Sequence, residues 1–174
     1  HVSHPRPSHA WRERCAHGML CPVHAMQNRA TYAEYLALEA ASDERHEFYD
    51  GHVYAMAGGT PEHSQLAANV IRALGNLLAD GPCVVFTSDL RVRVAATGLS
   101  TYPDVSVVCG ASDRAEEDSH AVTNPTLLVE VLSDGTEAYD RGEKFAHYRR
   151  LASLREYVLV SQHEARLKVF TRQA

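Results

Sequence analysis

Residues 126 to 132 read Thr-Leu-Leu-Val-Glu-Val-Leu, a β-branched and aliphatic run interrupted by one carboxylate, Glu130. Such a run predicts a strand buried on both faces. Desolvating an unpartnered carboxylate costs on the order of several kcal/mol, so Glu130 needs a cation beside it. A divalent metal ion is one candidate, and an Arg or Lys in a structural ion pair is the other. A second acid shares this setting. Pro103-Asp104-Val105-Ser106-Val107-Val108 puts Asp104 at the start of an apolar strand, where Pro is tolerated only at a beginning or an edge. Acids from two neighbouring core strands can converge on one cation, and Mg²⁺ is commonly held by one or two carboxylates with waters and substrate phosphates. The bland alternative is that Asp104 only caps the turn after Thr97-Gly98.

The elements that must position these acids are readable in outline. Thr31-Tyr-Ala-Glu34 is a capping box that opens a helix to about Ala41. Glu47-Phe-Tyr49 and His52 to Met56 predict a hairpin turning at Asp50-Gly51. Thr60 with Pro61 starts a second helix, whose apolar face is Leu66, Val70, Ala73, Leu74, Leu77 and Leu78. Strands are expected at Cys83–Thr87, Leu90–Val94, Tyr102–Val108 and Leu127–Leu132. In the second of these, Arg91 and Arg93 alternate with apolar residues, which predicts one wet face. Asp113 to Ser119 reads as an acidic surface loop. A third helix is expected over Asp140–Leu151, with Asp140 capping its start. A hairpin of Tyr157–Ser161 and Leu167–Phe170 closes the chain. The order implies a mixed α+β fold, a mixed β-sheet flanked by helices.

The totals bound the function classes. The 174 residues suit one domain, and 45% apolar with 22% charged composition is that of a globular protein. No run is long and apolar enough to span a membrane, so a soluble, cytoplasmic protein is expected. A net charge of −5, from 22 acidic and 17 basic residues, argues against holding nucleic acid by bulk positive charge. It leaves open an enzyme whose metal-binding carboxylates subtract from the total. The four cysteines suggest no disulfide framework, and Cys83 and Cys109 are expected to pack as small hydrophobes. Residues 1–25 hold five of the eleven histidines and no apolar period, so they are read as a leader or non-native extension before a domain at 26–174. Within them Cys15, His17, Cys21 and His24 have zinc-like spacing, without a surrounding pattern to preorganise four ligands.

Five blocks in this order carry a family resemblance: Glu47-Phe-Tyr-Asp-Gly51; Met56 to His63; Pro103-Asp104; Val129-Glu-Val-Leu-Ser133; and Asp140-Arg-Gly-Glu-Lys144 with Tyr148. The chain resembles the PD-(D/E)xK nuclease superfamily and, more closely, its Uma2 group of restriction-endonuclease-like proteins, from about Met26 to Thr171. The resemblance implies a restriction-endonuclease-like fold, DNA as substrate and Mg²⁺ (or Mn²⁺) held by Asp104, Glu130 and the Val131 carbonyl. Glu47 would complete the shell or bind a second ion, unless it is an exposed hairpin carboxylate. The superfamily lysine, normally two residues after the glutamate, is Leu132 here, and Lys144 on the next helix matches the lysine that Uma2 relatives carry instead. Ser133-Asp-Gly-Thr136 also departs from the usual Ser-Pro-Ser-Thr. His63, near a helix N-terminus, would hold a substrate phosphate as a neutral donor, with a structural histidine as the alternative. Arg141, Arg149 and Arg150 either contact a DNA backbone or form a solvated helix face. A homodimer is expected, with the closing hairpin (Tyr157, Val158, Leu159) as one available edge. A fold that has lost catalysis and serves as a nucleic-acid-binding or protein-interaction module is the competing reading, favoured by Leu132 and the negative net charge.

Overall fold

Capping and turn chemistry set the first elements where the sequence predicts them. In the computed structural model, which describes residues 29–56 and 58–173, Thr31 and Glu34 complete their capping box at the start of α1 (Tyr32–Ala41). Residues 1–25, with their zinc-like spacing, lie outside the described residues. β1 (His46–Tyr49) and β2 (His52–Ala55) form the predicted hairpin. Its two turn residues have positive φ, 48° at Asp50 and 79° at Gly51, the conformation that matches strand twist in a two-residue turn. A Cβ on Gly51 would come within 2.5 Å of Arg29 Cβ, so glycine is needed there twice over. Thr60 caps α2 (Pro61–Leu77), accepting from the His63 N–H at 3.2 Å.

The remaining strands are β3 (Cys83–Thr87), β4 (Arg91–Val94), β5 (Leu99–Thr101), β6 (Val105–Cys109), β7 (Arg114–Ala115), β8 (Asp118–Val122), β9 (Leu127–Val131), β10 (Glu156–Val160) and β11 (Leu167–Thr171). Between β9 and β10 lie α3 (Glu137–Tyr139), a π-helical turn (Asp140–Lys144) and α4 (Phe145–Tyr148). The fold is mixed α+β as expected, with its strands divided between two mixed sheets. One has the order β2-β1-β5-β4-β8-β7 and the other β11-β10-β9-β6-β3. α2 covers one face of the second sheet, packing Leu66, Val70 and Leu74 against Val105, Val129 and Val131. Ala67 and Ile71 join that contact, while Leu77 is left 80% exposed, so the helix is rotated from the face its sequence suggests. On the other face, Leu128, Leu159 and Tyr148 pack with Val92, Val94 and Leu99 of the first sheet.

Several expectations are corrected by this arrangement. The predicted strand over Tyr102–Val108 is split: β5 belongs to the first sheet and β6 to the second, and Tyr102-Pro103-Asp104 is the joint between them. Pro103 cannot donate to a ladder, which suits it to this crossing. The supposed wet face of β4 is buried. Arg91 stacks between the Tyr35 and Tyr102 rings and lies 2.8 Å from Asp118, and Arg93 lies over Tyr32. For the same reason Asp113 to Ser119 is not a loop: it contains β7 and the start of β8, with Asp118 turned inward to meet Arg91. Cys83 and Cys109 are cross-strand partners on β3 and β6 and are joined as a disulfide, a pairing set by sheet topology that their 26-residue separation conceals. The third helix begins at Glu137, so Asp140 lies inside it and caps nothing at its start. Finally, β10 sits between β9 and β11, and the free edge of the closing hairpin is β11, with Leu167 and Val169 exposed.

Candidate active site and metal centre

Where the chain passes from one sheet to the other, acids from three different elements face a single cleft of about 750 Å³. Glu47 comes from β1, Asp104 from the inter-sheet joint and Glu130 from β9. Val105 pairs with Val129 across the antiparallel β6–β9 ladder, so one step further Asp104 stands beside Glu130. Its Oδ2 accepts the Val131 N–H at 2.7 Å, which ties the joint to the end of β9. Phe48 pairs with Ser100 across β1 and β5, which brings Glu47 to Thr101, whose hydroxyl donates to Glu47 Oε1. Tyr139 donates to the other oxygen at 3.1 Å. Glu47 is therefore a buried member of the cluster, and the reading of it as an exposed hairpin carboxylate is set aside.

Lys144 reaches this cluster from the helix. The π-helical turn widens the helix by one residue, a distortion frequent at functional sites, and here both Asp140 and Lys144 are buried within it. Lys144 Nζ lies 2.9 Å from Glu130 Oε1, 3.3 Å from Glu47 Oε1 and 3.6 Å from Asp140 Oδ1. Tyr148, one turn on, donates to Glu130 Oε1 at 2.8 Å. At the place of the usual lysine, Leu132 is packed into the core. Both candidate partners of Glu130 thus find a counterpart: a lysine is in contact with it, and a second acid stands alongside.

Charge bookkeeping in the cluster is unequal. Glu47, Glu130 and Asp140 surround one ammonium, with Asp104 adjoining. Burial pushes Glu130 up to about 8, with Lys144 pulling it down and Asp140 and Asp104 adding to the rise. Burial raises Asp140 as well. For Lys144, burial works against the ammonium, but Glu130, Tyr148, Glu47 and Asp140 outweigh it and hold its pKa well above the usual value. His63 Nε2 lies 3.2 Å from Asp104 Oδ2. That hydrogen bond raises the His63 pKa against the pull of burial, and the Val131 backbone adds to the rise. The nearby carboxylate thus favours the protonated imidazole, in the opposite sense to the helix-end dipole.

A divalent cation fits this chemistry. The donors lining the cleft are hard oxygens, the carboxylates of Asp104, Glu130 and Glu47, and the cluster is short of positive charge. Among the described residues, no three His, Cys, Asp or Glu side chains converge into a ready-made metal cage. Asp140, Tyr139 and Thr101 are members that sequence reasoning missed. The Asp140–Lys144 spacing of four on a helix was a usable signal for the first, and the other two depend on folding.

The fold is nuclease-like. A crystal structure described as a "putative nuclease belonging to DUF820" from Anabaena variabilis superposes with a TM-score of 0.58 at 16% identity, covering 75% of this chain and 79% of that one. The Uma2 family model, described as "Putative restriction endonuclease", matches residues 32–174, and the chain belongs to that family. Two Synechocystis proteins are also similar. The uncharacterized protein slr1290 is 41% identical over 79% of this chain and 71% of its own length, and sll1609 is 36% identical over 76% and 75%. Among the described residues, no helix is long and apolar enough to cross a membrane.

Proposed function

We propose that this nuclease-family chain is a metal-dependent endonuclease that hydrolyses DNA phosphodiester bonds. The observation that carries the proposal is the meeting of Glu47, Asp104 and Glu130, from both sheets and their joint, with Lys144 in one cleft. Asp104, Glu130 and the Val131 carbonyl would hold Mg²⁺ (or Mn²⁺). When bound, the ion supplies charge neutralisation on the phosphate and acidifies an attacking water. The chain's own groups do the rest. Tyr148 fixes one oxygen of Glu130, leaving the other free to face the cleft. Lys144 is a fixed cation beside the reacting phosphate, placed to stabilise charge that grows on its oxygens. His63, held by Asp104 through Nε2, would donate towards a phosphate oxygen at the start of α2.

The second reading is a nuclease fold that binds without cutting. It draws on Lys144, whose ammonium is already engaged by three carboxylates, and on Leu132 in the core. One experiment separates the two. Supercoiled plasmid and single-stranded circular DNA are incubated with Mg²⁺ or Mn²⁺ and wild type, Asp104→Asn or Glu130→Gln. Nicking by wild type alone is expected, together with a rise in wild-type melting temperature on adding Mg²⁺ that both variants lose. Equal background in all three proteins, with no thermal shift, would leave binding as the only role.

A further inference from the structure

At the other end of the helix that carries Lys144, the chain collects cations. Arg149 and Arg150 follow α4, Arg155 precedes β10, and Lys168 lies on β11; all four are exposed. None of them makes an ion pair among the described residues, whereas Arg29, Arg45, Arg91, Arg93, Arg141 and Arg166 each pair with a carboxylate and Arg72 and Arg114, also unpaired, stand apart from one another. The three arginines rim a pocket of about 390 Å³ in which Glu156 is the lone acid. A fifth cation ties the backbone beneath the rim: Arg172 donates to the carbonyls of Arg149, Leu151 and Leu154, each at 2.8 Å. In a chain of net charge −5, this concentration of unpaired positive charge is local.

The pocket shares no lining residue with the catalytic cleft. β9 and β10 run parallel, with Glu156 beside Leu127 and Leu159 beside Glu130. The two sites are therefore separated along the strands by three residues, about 10 Å. The pocket's aromatic wall does not offer stacking, because Arg149 lies over Phe145 and Lys168 over Phe170. It presents exposed, forked guanidinium charge, which suits phosphate more than bases.

We infer that this surface binds the phosphodiester backbone of DNA outside the cleft, without sequence preference. The inference rests on the nuclease reading only for choosing DNA among polyanions. The test is fluorescence anisotropy of the full chain with a labelled DNA duplex in EDTA, across a salt series. The Arg149→Gln/Arg150→Gln/Arg155→Gln variant should bind at least about tenfold more weakly and lose about 2 to 3 from the slope of log affinity against log salt, near 0.9 per phosphate contact. Arg72→Gln/Arg114→Gln/Arg166→Gln removes the same charge elsewhere and should leave that slope unchanged. Equal weakening by both triples overturns the inference in favour of bulk charge. A lower melting temperature with an unchanged slope overturns it in favour of helix-end stabilisation. Binding to anionic lipid vesicles but not to duplex overturns it in favour of a membrane. Because EDTA removes cleavage from the measurement, wild type that never nicks DNA but shows the arginine-dependent slope would refute the endonuclease and leave this surface standing.

Discussion

His46 and Glu47 are neighbours on β1, and they point into two buried charge clusters of opposite design. On one side, His46 meets Glu39 through its backbone N–H at 2.9 Å and through Nδ1 at 2.8 Å, and Tyr102 also donates to Glu39. Nearby, Arg91 has Asp118 and two tyrosine faces, and Arg93 has the Tyr32 face and the Gly98 carbonyl. Each charge here has an opposite charge or a ring quadrupole against it. On the other side, three carboxylates share Lys144, a fourth adjoins, and the group opens on the cleft. Burial alone therefore does not mark function in this molecule. What sets the proposed site apart is imbalance of buried charge with access to solvent.

The comparison breaks most readily at Lys144. Lys144→Met leaves the acids Glu47, Glu130 and Asp140 without their counter-charge, and breaking such a contact costs about 3–5 kcal/mol, less whatever the acids recover by taking up protons. Urea denaturation at pH 8 should show that loss, and at pH 5 it should shrink, because the stranded acids can take up protons. Asp118→Ala strips Arg91 of its carboxylate but leaves both tyrosine faces, so a loss of about 2–3 kcal/mol is expected by the same measurement. If Asp118→Ala proves the more damaging, the closed cluster is the less balanced of the two.

Glu130→Gln sharpens the contrast through its sign. The folded chain holds Glu130's proton up to about pH 8, whereas the unfolded chain releases it near the ordinary carboxylate range. Folding therefore loses stability from this residue as pH rises between those values, and the loss levels off above the folded pKa. His63, raised by Asp104, acts in the same sense: its contribution is full below its unfolded pKa and fades as pH climbs through the folded one. Glu130→Gln should abolish nicking and yet be more stable than wild type at pH 9, with a flatter dependence of stability on pH. Chemical denaturation across pH 5 to 9 checks it, and a variant less stable than wild type at pH 9 would falsify the idea of surplus acid.

Much of this contrast was legible in the chain, but unequally. Glu130 in an aliphatic strand and Asp104 after Pro103 announced themselves, because a charge in an apolar run is locally anomalous. Lys144 was found through the family pattern, and its route into the cluster depends on a π-helical turn that no periodicity reveals. The closed cluster was misread throughout: Arg91, Arg93 and Asp118 look like solvent-facing residues until the tyrosines and sheet pairing that bury them are known. Division into two sheets was hidden for the same reason, since Tyr102-Pro103-Asp104 is too short to look like a boundary. The Cys83–Cys109 partnership likewise exists only once β3 lies beside β6.

Tyr139 gives the finest test, because it touches the open cluster without bearing charge at neutral pH. Its hydroxyl donates to Glu47 Oε2 at 3.1 Å, and burial, with Glu47 adding, raises its pKa well above the usual value. Tyr139→Phe keeps the ring and removes one hydrogen bond, so stability should change by only about 1 kcal/mol. Glu47 would still be held by Thr101 and Lys144, but with one oxygen free to rotate. Groups that orient a metal-facing carboxylate typically influence affinity by 10–100-fold, and since Thr101 and Lys144 still hold Glu47, a shift at the low end, about tenfold in half-saturating Mg²⁺, is expected. The rate at saturating Mg²⁺ should be nearly unchanged. A fall in that rate with no shift in the Mg²⁺ requirement would instead place Tyr139 among the groups acting on the phosphate.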